Sequence, residues 1–198
     1  MKMTLRWYGP GFDSVTLEQI RQIPGVTGVI TTLYDIPAGE VWPIERIREI
    51  KKTVDDAGLK IEGIESVNVH DAIKIGTPER DKYIENYIET LENLGKEGID
   101  IVCYNFMPVF DWTRTDLAKV RPDGSTVLAY DQKVVDNIDP QVFFNQTNDN
   151  SNGFVMPGWE PERLAKVQEL FEAYKDVDED KLFDNLVYFL KAIGPVCK

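Results

Sequence analysis

The amino-acid sequence predicts an α/β protein in which parallel strands alternate with helices. Short segments rich in β-forming residues alternate with segments of helical periodicity, in the order strand, helix, strand, helix, strand, helix, strand. Connections of this length join parallel strands and place helices on the faces of the sheet. The 198 residues, of which 42% are hydrophobic, suit one domain or two small ones with a sizeable core.

The first strand and helix are short. Residues 4–8 are β-formers that stop at the Gly-Pro-Gly run of residues 9–11. A brief helical stripe follows and ends at the Pro-Gly pair of residues 24–25. Residues 26–33 are β-branched and almost uncharged, which indicates a second strand buried on both faces.

The second helix is predicted from the position of Pro43 and from the residues that follow it. Apolar residues recur at three- and four-residue spacing over residues 44–54, and a proline is favoured in the first turn of a helix. We expect this helix to end at Gly58. Residues 59–66 then form the predicted third strand.

The third helix has the longest periodic pattern, over residues 84–94, and is expected to close near Gly95 or Gly98. Residues 99–106 form the predicted fourth strand. Helical periodicity returns only at residues 164–174 and 182–193, and the acidic residues before the last helix suit its N-terminus.

Between these helical regions lies an inserted excursion, residues 107–158, that carries many prolines, glycines and asparagines and no long periodic segment. About fifty such residues exceed the usual connection in a compact domain, which points to a functional excursion, an oligomer contact or disorder. Scattered aromatic residues argue against full disorder. They are Phe110, Trp112, Tyr130, Phe143, Phe144 and Phe154.

Composition excludes several classes of partner. The formal net charge of -12 argues against nucleic acid and anionic membrane surfaces as partners, and no apolar run is long enough to span a membrane. The first nine residues lack the features of a secretory signal. Cys103 and Cys197 make at most one disulfide, and Cys103 is expected to be a small buried hydrophobe. We therefore expect a cytoplasmic domain, poorly equipped for metal binding by its single histidine.

Candidate ligand contacts lie at the ends of the predicted strands, because reactive groups gather at the carboxyl ends of parallel strands. The residues there are Trp7, Tyr8, Thr31, Thr32, 65–70, Tyr104 and Asn105. Each has a structural alternative: a core aromatic, a β-former or a structural histidine. Dinucleotide, phosphate-loop and zinc motifs are missing from the sequence. These residues alone predict a ligand-binding α/β domain without specifying a reaction.

Several stretches at these same strand ends resemble the mannonate dehydratase family, a group of sugar-acid hydro-lyases. The matching stretches are Arg6-Trp7-Tyr8-Gly9, residues 20–29, residues 63–67, residues 70–74, residues 102–106 and residues 155–160. The resemblance runs along essentially the whole chain, including the excursion.

The resemblance implies a parallel (β/α) TIM-barrel fold of which residues 1–198 form the amino-terminal part, about the first four β/α units. It also implies dehydration of D-mannonate to 2-keto-3-deoxy-D-gluconate in glucuronate catabolism, with Mn²⁺ or Fe²⁺ as cofactor. The family's metal ligands and catalytic residues come from the second half of the barrel, so none is assigned in this chain. Trp7, His70 and Tyr104 are the predicted substrate-binding residues, followed by Arg6 and Asn105.

We therefore interpret the chain as a truncated amino-terminal half that is inactive alone, from a protein that forms a homo-oligomer. Strands cut from a closed barrel leave open edges, so we expect stabilisation by a partner chain, by the missing half or by the excursion. Two alternatives remain open from the sequence. The first is a sugar isomerase or epimerase of the same barrel group, and the second is a non-catalytic binding or assembly module.

Overall fold

A parallel sheet at the amino-terminal end organises the protein, for which the computed structural model describes residues 1–109, 114–136 and 167–197. The side chains of residues 167 and 168 are not among those described. The elements in chain order are β1 (Met3–Arg6), α1 (Leu17–Arg21), β2 (Val26–Thr31), α2 (Ile44–Asp56), β3 (Lys60–Ile64), α3 (Asp71–Ile75), α4 (Arg80–Lys96), β4 (Asp116–Val120), β5 (Thr126–Ala129), α5 (Gln132–Val135), α6 (Val167–Tyr174) and α7 (Glu179–Ile193).

The strands of the main sheet lie in the order β1-β2-β3, and both pairs are parallel. Leu5 pairs with Val29, and Val29 pairs with Ile61. The register shifts between Val29 and Ile30, so Ile30 lies opposite Gly63. The mixed α/β class and the parallel strands predicted from the sequence are confirmed.

The helices begin and end where local sequence signals place them. Thr16 and Gln19 form a capping box at the start of α1, with each side chain accepting from the other's backbone N–H. Pro43 precedes α2, which ends at Asp56 before Gly58 at φ +76°. Asp178 caps α7 by accepting from the Lys181 N–H. One of the acidic residues before this last helix, Asp178, therefore satisfies one of its N-terminal N–H groups.

The sequence predicts an extended fourth strand over residues 99–106, and this prediction is wrong. Residues 101–103 make one parallel bridge, between Val102 and Ile64, with hydrogen bonds from the Ile64 N–H to the Ile101 carbonyl and from the Cys103 N–H to the Ile64 carbonyl. Cys103 is exposed rather than buried, since neighbouring residues point to opposite faces and Val102 faces the core.

Two structured segments were not predicted. Residues 116–129 of the excursion form an antiparallel hairpin, β4-β5, in which Asp123 accepts from the Ser125 N–H and Gly124 takes φ +83°. This Asp-Gly turn chemistry was the available signal. Helix α3 was missed because its five residues are too few for a periodic pattern.

Two apolar cores hold the helices on the sheet. The large core packs α2, α3, α4 and α7 together, and the small core packs α1 and α2 against β1 and β2. The large core contains Leu33, Trp42, Ile47, Ile64, Val67, Val69, Ile73, Ile84, Tyr87, Leu94, Ile99, Phe189 and Ile193. The small core contains Trp7, Leu17, Ile20, Val29, Val54 and Leu59.

Helices α6 and α7 are fastened to α3 by polar contacts. The Tyr174 hydroxyl of α6 donates to Asp71 Oδ1 at 2.7 Å. The Asn185 amide of α7 donates to the Lys74 carbonyl at 2.9 Å. Asn185 also fills the space beside Gly76, whose φ of +82° ends α3. The carboxyl-terminal helices are therefore fixed to the segment that carries His70.

Among the described residues, no helix is both long enough and apolar enough to cross a membrane. Five of the aromatic residues predicted to order the excursion lie outside the described residues, as does the stretch 155–160 that resembles the family. The five are Phe110, Trp112, Phe143, Phe144 and Phe154.

Candidate functional site

Arg6 joins the carboxyl ends of the first two strands. Its Nη1 donates to the carbonyls of Trp7 and Ile30, both at 3.2 Å, and its Nη2 donates to the Tyr34 hydroxyl at 2.8 Å. The guanidinium also lies 4.5 Å from the centre of the Tyr8 ring, within the range of a cation–π contact. A half-buried cation is thereby held at the edge of the sheet.

The loop after β1 meets the loop after β2 at Tyr34, which accepts from Arg6. Phe12 packs on Tyr34 with ring centroids 4.5 Å apart. Asp13 accepts hydrogen bonds from the backbone N–H groups of Tyr8 and Val15, which orders the loop after β1. We call Arg6, Tyr8, Phe12 and Tyr34 the Arg6 cluster.

Both tyrosines of the Arg6 cluster are held in the neutral form. Burial raises the pKa of Tyr34, and Arg6 only partly opposes this effect. Burial likewise raises the pKa of Tyr8, with Arg6 again opposing and Glu65 adding to the increase. The cluster therefore offers phenol hydroxyls beside one permanent positive charge.

A chain of hydrogen bonds joins the ends of β2 and β3 to the segment that follows α4. Thr32 Oγ1 donates to the Ser66 carbonyl at 2.7 Å, and Ser66 Oγ donates to Asn68 Oδ1 at 2.9 Å. The Asn105 amide donates to Ser66 Oγ at 3.3 Å. The structure thus brings the predicted site residue Asn105 to the same edge of the sheet as Arg6.

His70 lies in a separate pocket between the loop after β2 and helix α4. Its Nδ1 accepts from the Ala72 N–H at 3.1 Å, which caps α3, and its ring stacks on Tyr83 at 3.7 Å. Beside it lies a cavity of about 10 Å³, enough for about one water molecule. The residues that line it include Leu33, Gly39, Trp42, Asn68, Tyr83 and Thr90. We call this region the His70 pocket.

The side chains of the two other predicted substrate-binding residues pack against the apolar cores. Trp7 is 5% exposed in the small core, with its backbone N–H donating to the Ile30 carbonyl. Tyr104 is 38% exposed, and its ring meets Phe189 edge-on at 5.9 Å. A ligand contact for either residue stays a prediction.

Sequence reasoning missed Tyr34, Phe12 and Asp13. Tyr34 lies three residues beyond the end of β2, and Asp13 lies in the loop that the Gly-Pro-Gly run announced. A broader search of the residues following each strand could have found them. The contacts of Tyr34 with Arg6 and with Phe12 depend on the fold.

The donor chemistry of the described residues does not fit a divalent metal. In the described ranges, no group of three or more His, Cys, Asp or Glu side chains is arranged to hold an ion. The His70 Nδ1 is already an acceptor for a backbone N–H.

The parallel sheet with polar and aromatic groups at its carboxyl edge defines an α/β protein of the kind that binds small molecules at that edge. The family model described as D-mannonate dehydratase (UxuA) matches residues 1–198. The chain belongs to this family.

Individual relatives agree with the family match. The chain is 71% identical to a mannonate dehydratase of Brachyspira hyodysenteriae and 60% identical to one of Thermotoga petrophila. Both matches cover 100% of this chain, but only 56% and 55% of the respective relatives. The chain thus spans about half the length of the curated relatives it matches.

A solved structure shows the same arrangement. The crystal structure of mannonate dehydratase from Streptococcus suis serotype2 matches with a TM-score of 0.81 and 45% identity. The match covers 100% of this chain and 50% of the crystallised one.

Proposed function

We propose that the whole protein dehydrates D-mannonate to 2-keto-3-deoxy-D-gluconate in glucuronate catabolism. The observation that carries the proposal is the family match over residues 1–198, supported by the relative that is 71% identical and bears the mannonate dehydratase name. The relatives reported above carry this name, and none supports the sugar isomerase, epimerase or assembly-module alternatives.

In this proposal, residues 1–198 form the amino-terminal part of a single TIM barrel, about its first four β/α units. Three parallel strands with helices packed against them support it, as does the residue 101–103 segment beside β3. The segment 107–158 is an insertion in that domain.

The reaction removes a proton from the carbon next to the carboxylate and expels the hydroxyl of the neighbouring carbon, with a general acid protonating the leaving group. The proposed role of this chain is to bind and orient the sugar acid, with no catalytic residue of its own. The proposed substrate-binding residues are Arg6, Trp7, His70, Tyr104 and Asn105.

The cofactor in this proposal is Mn²⁺ or Fe²⁺, with ligands outside this chain. The described residues lack a fitting donor cluster, so no step of the reaction is assigned through the ion here. We further propose a cytoplasmic protein that forms homo-oligomers.

The test compares the natural full-length protein with residues 1–198 expressed alone. Each is incubated with D-mannonate and Mn²⁺, and the keto acid product is quantified. We expect turnover by the full-length protein and none by residues 1–198. D-glucuronate and D-fructuronate serve as control substrates for isomerase activity. Absence of dehydration by the full-length protein would overturn the proposal, and turnover by residues 1–198 would overturn the assignment of catalysis outside this chain.

A further inference from the structure

The guanidinium of Arg6 retains hydrogen-bonding capacity after its protein contacts are counted. A guanidinium has five N–H bonds. Three of them reach the Trp7 carbonyl, the Ile30 carbonyl and the Tyr34 hydroxyl. Among the described residues, the Nε–H and the second Nη2–H have no acceptor. They lie on neighbouring nitrogens, the arrangement that a carboxylate accepts as a pair.

Arg6 also has no acidic partner within ion-pairing distance in the described part of the chain. No carboxylate oxygen there lies within 4.0 Å of its guanidinium. This contrasts with Lys2, Arg46 and Arg48, each of which contacts a carboxylate. In a protein with a formal charge of -12, a half-buried cation held by carbonyls and a phenol is unusual.

Tyr34 adds a directed donor beside this cation. Its oxygen accepts from Arg6 Nη2, and its raised pKa keeps its own proton in place. The Tyr34 hydroxyl therefore has a proton to donate to a further oxygen, while Phe12 and Tyr8 provide ring faces beside it.

We propose that Arg6 and Tyr34 form the subsite for the carboxylate of the sugar acid, with the Arg6 cluster as its wall. The guanidinium supplies the charge and the phenol supplies a directed hydrogen bond. The choice of a sugar acid as ligand rests on the proposed function, whereas the preference for a carboxylate comes from the charge of Arg6, which forms no ion pair with the described residues.

The alternative role for Arg6 is mechanical, because its bonds to Trp7 and Ile30 also tie β1 to β2. A purely mechanical residue affects all ligands equally. A carboxylate subsite discriminates between an acid and its neutral analogue, so the test must use both.

The experiment titrates D-mannonate and neutral D-mannitol into the natural full-length protein by calorimetry, for wild type, Arg6→Gln and Arg6→Lys. We expect Arg6→Gln to raise the Kd for D-mannonate about 10- to 100-fold. The Kd for D-mannitol should change less than about threefold. Arg6→Lys should lie between, because it keeps the charge and loses the planar pair of donors.

Thermal melting of each variant accompanies the titrations. If Arg6→Gln does not fold, Arg6→Lys and Tyr34→Phe carry the same acid-against-neutral comparison. Equal losses for D-mannonate and D-mannitol, or unchanged D-mannonate binding, would overturn the subsite and leave the dehydratase proposal standing. Failure of the wild type to bind or convert D-mannonate would overturn both.

Discussion

The Arg6 cluster and the His70 pocket share a sequence feature but differ in their structural surroundings. Each has a polar side chain at the end of a strand or shortly after it, with an aromatic ring against that side chain. Arg6 lies at the carboxyl edge of the sheet, and two of its N–H groups have no acceptor among the described residues. His70 caps a helix, and its ring is covered by Tyr83 beside a cavity of about 10 Å³. What distinguishes a candidate binding residue from a structural one is therefore the number of unused N–H donors and the room beside the side chain, rather than the residue type.

This comparison predicts that changes in the His70 pocket affect stability more than binding, whereas changes in the Arg6 cluster also alter the binding of D-mannonate. The variants below test that difference.

Gly39→Ala should have the largest effect. Gly39 has φ +89°, and an added Cβ would lie 2.6 Å from Tyr83 Cδ1 and 2.8 Å from His70 Cδ2. We expect a loss of about 2–4 kcal/mol in the free energy of unfolding, measured with urea. Gly11→Ala is the matched control, because Gly11 has φ +85° and open space around it. Equal losses at both positions would show that the stacked rings do not constrain the pocket.

His70→Ala should cost about 1–2 kcal/mol, because it removes the acceptor for the Ala72 N–H and the ring stacked on Tyr83. His70→Asn retains an acceptor for the cap and should recover part of that loss. The measurement is urea unfolding with parallel titration of D-mannonate. Unchanged stability together with weakened binding would place the ligand in the His70 pocket and contradict the comparison.

Tyr34→Phe should cost about 1 kcal/mol by removing the acceptor for Arg6 Nη2. The effect should depend on pH. Because the pKa of Tyr34 is raised in the folded protein, the unfolded chain loses this proton first, and stability falls as the pH rises above about 10. The variant should lose part of this slope in urea unfolding between pH 8 and 11.

The double variant Arg6→Gln/Tyr34→Phe is the control for the hydrogen bond between Arg6 and Tyr34. If Arg6 and Tyr34 act together, the two losses of stability should not add. Additive losses would indicate independent contributions.

Glu65→Gln should have the smallest effect, with the opposite sign. The Glu65 carboxylate raises the pKa of Tyr8 and Tyr34, so its charge acts on the Arg6 cluster. Removing it should lower the Kd for D-mannonate about two- to threefold, because a repulsive charge near the subsite is lost. Glu18→Gln, on the exposed surface of α1, is the control. Weaker binding by Glu65→Gln would contradict a carboxylate subsite at Arg6.

Part of the site could be predicted from the sequence, because the carboxyl ends of parallel strands meet at one edge. Asn105 was predicted on that ground and Arg6 from the family resemblance, and the structure places both at that edge. Tyr34 and Phe12 were not identified in the same way, since the contact between their rings joins two loops that are distant in the sequence.

The sequence by itself determined the parallel alternation and the long helices, because hydrophobic periodicity, caps and glycine stops act over a few neighbouring residues. Helices α2 and α7 form over segments that their periodic patterns predicted. The tertiary structure alone decided that Arg6 meets Tyr34, 28 residues away, and that Asn105 meets Ser66, 39 residues away. These contacts depend on the register between strands, including the shift after Val29, and a register is a property of two paired segments rather than of either sequence alone.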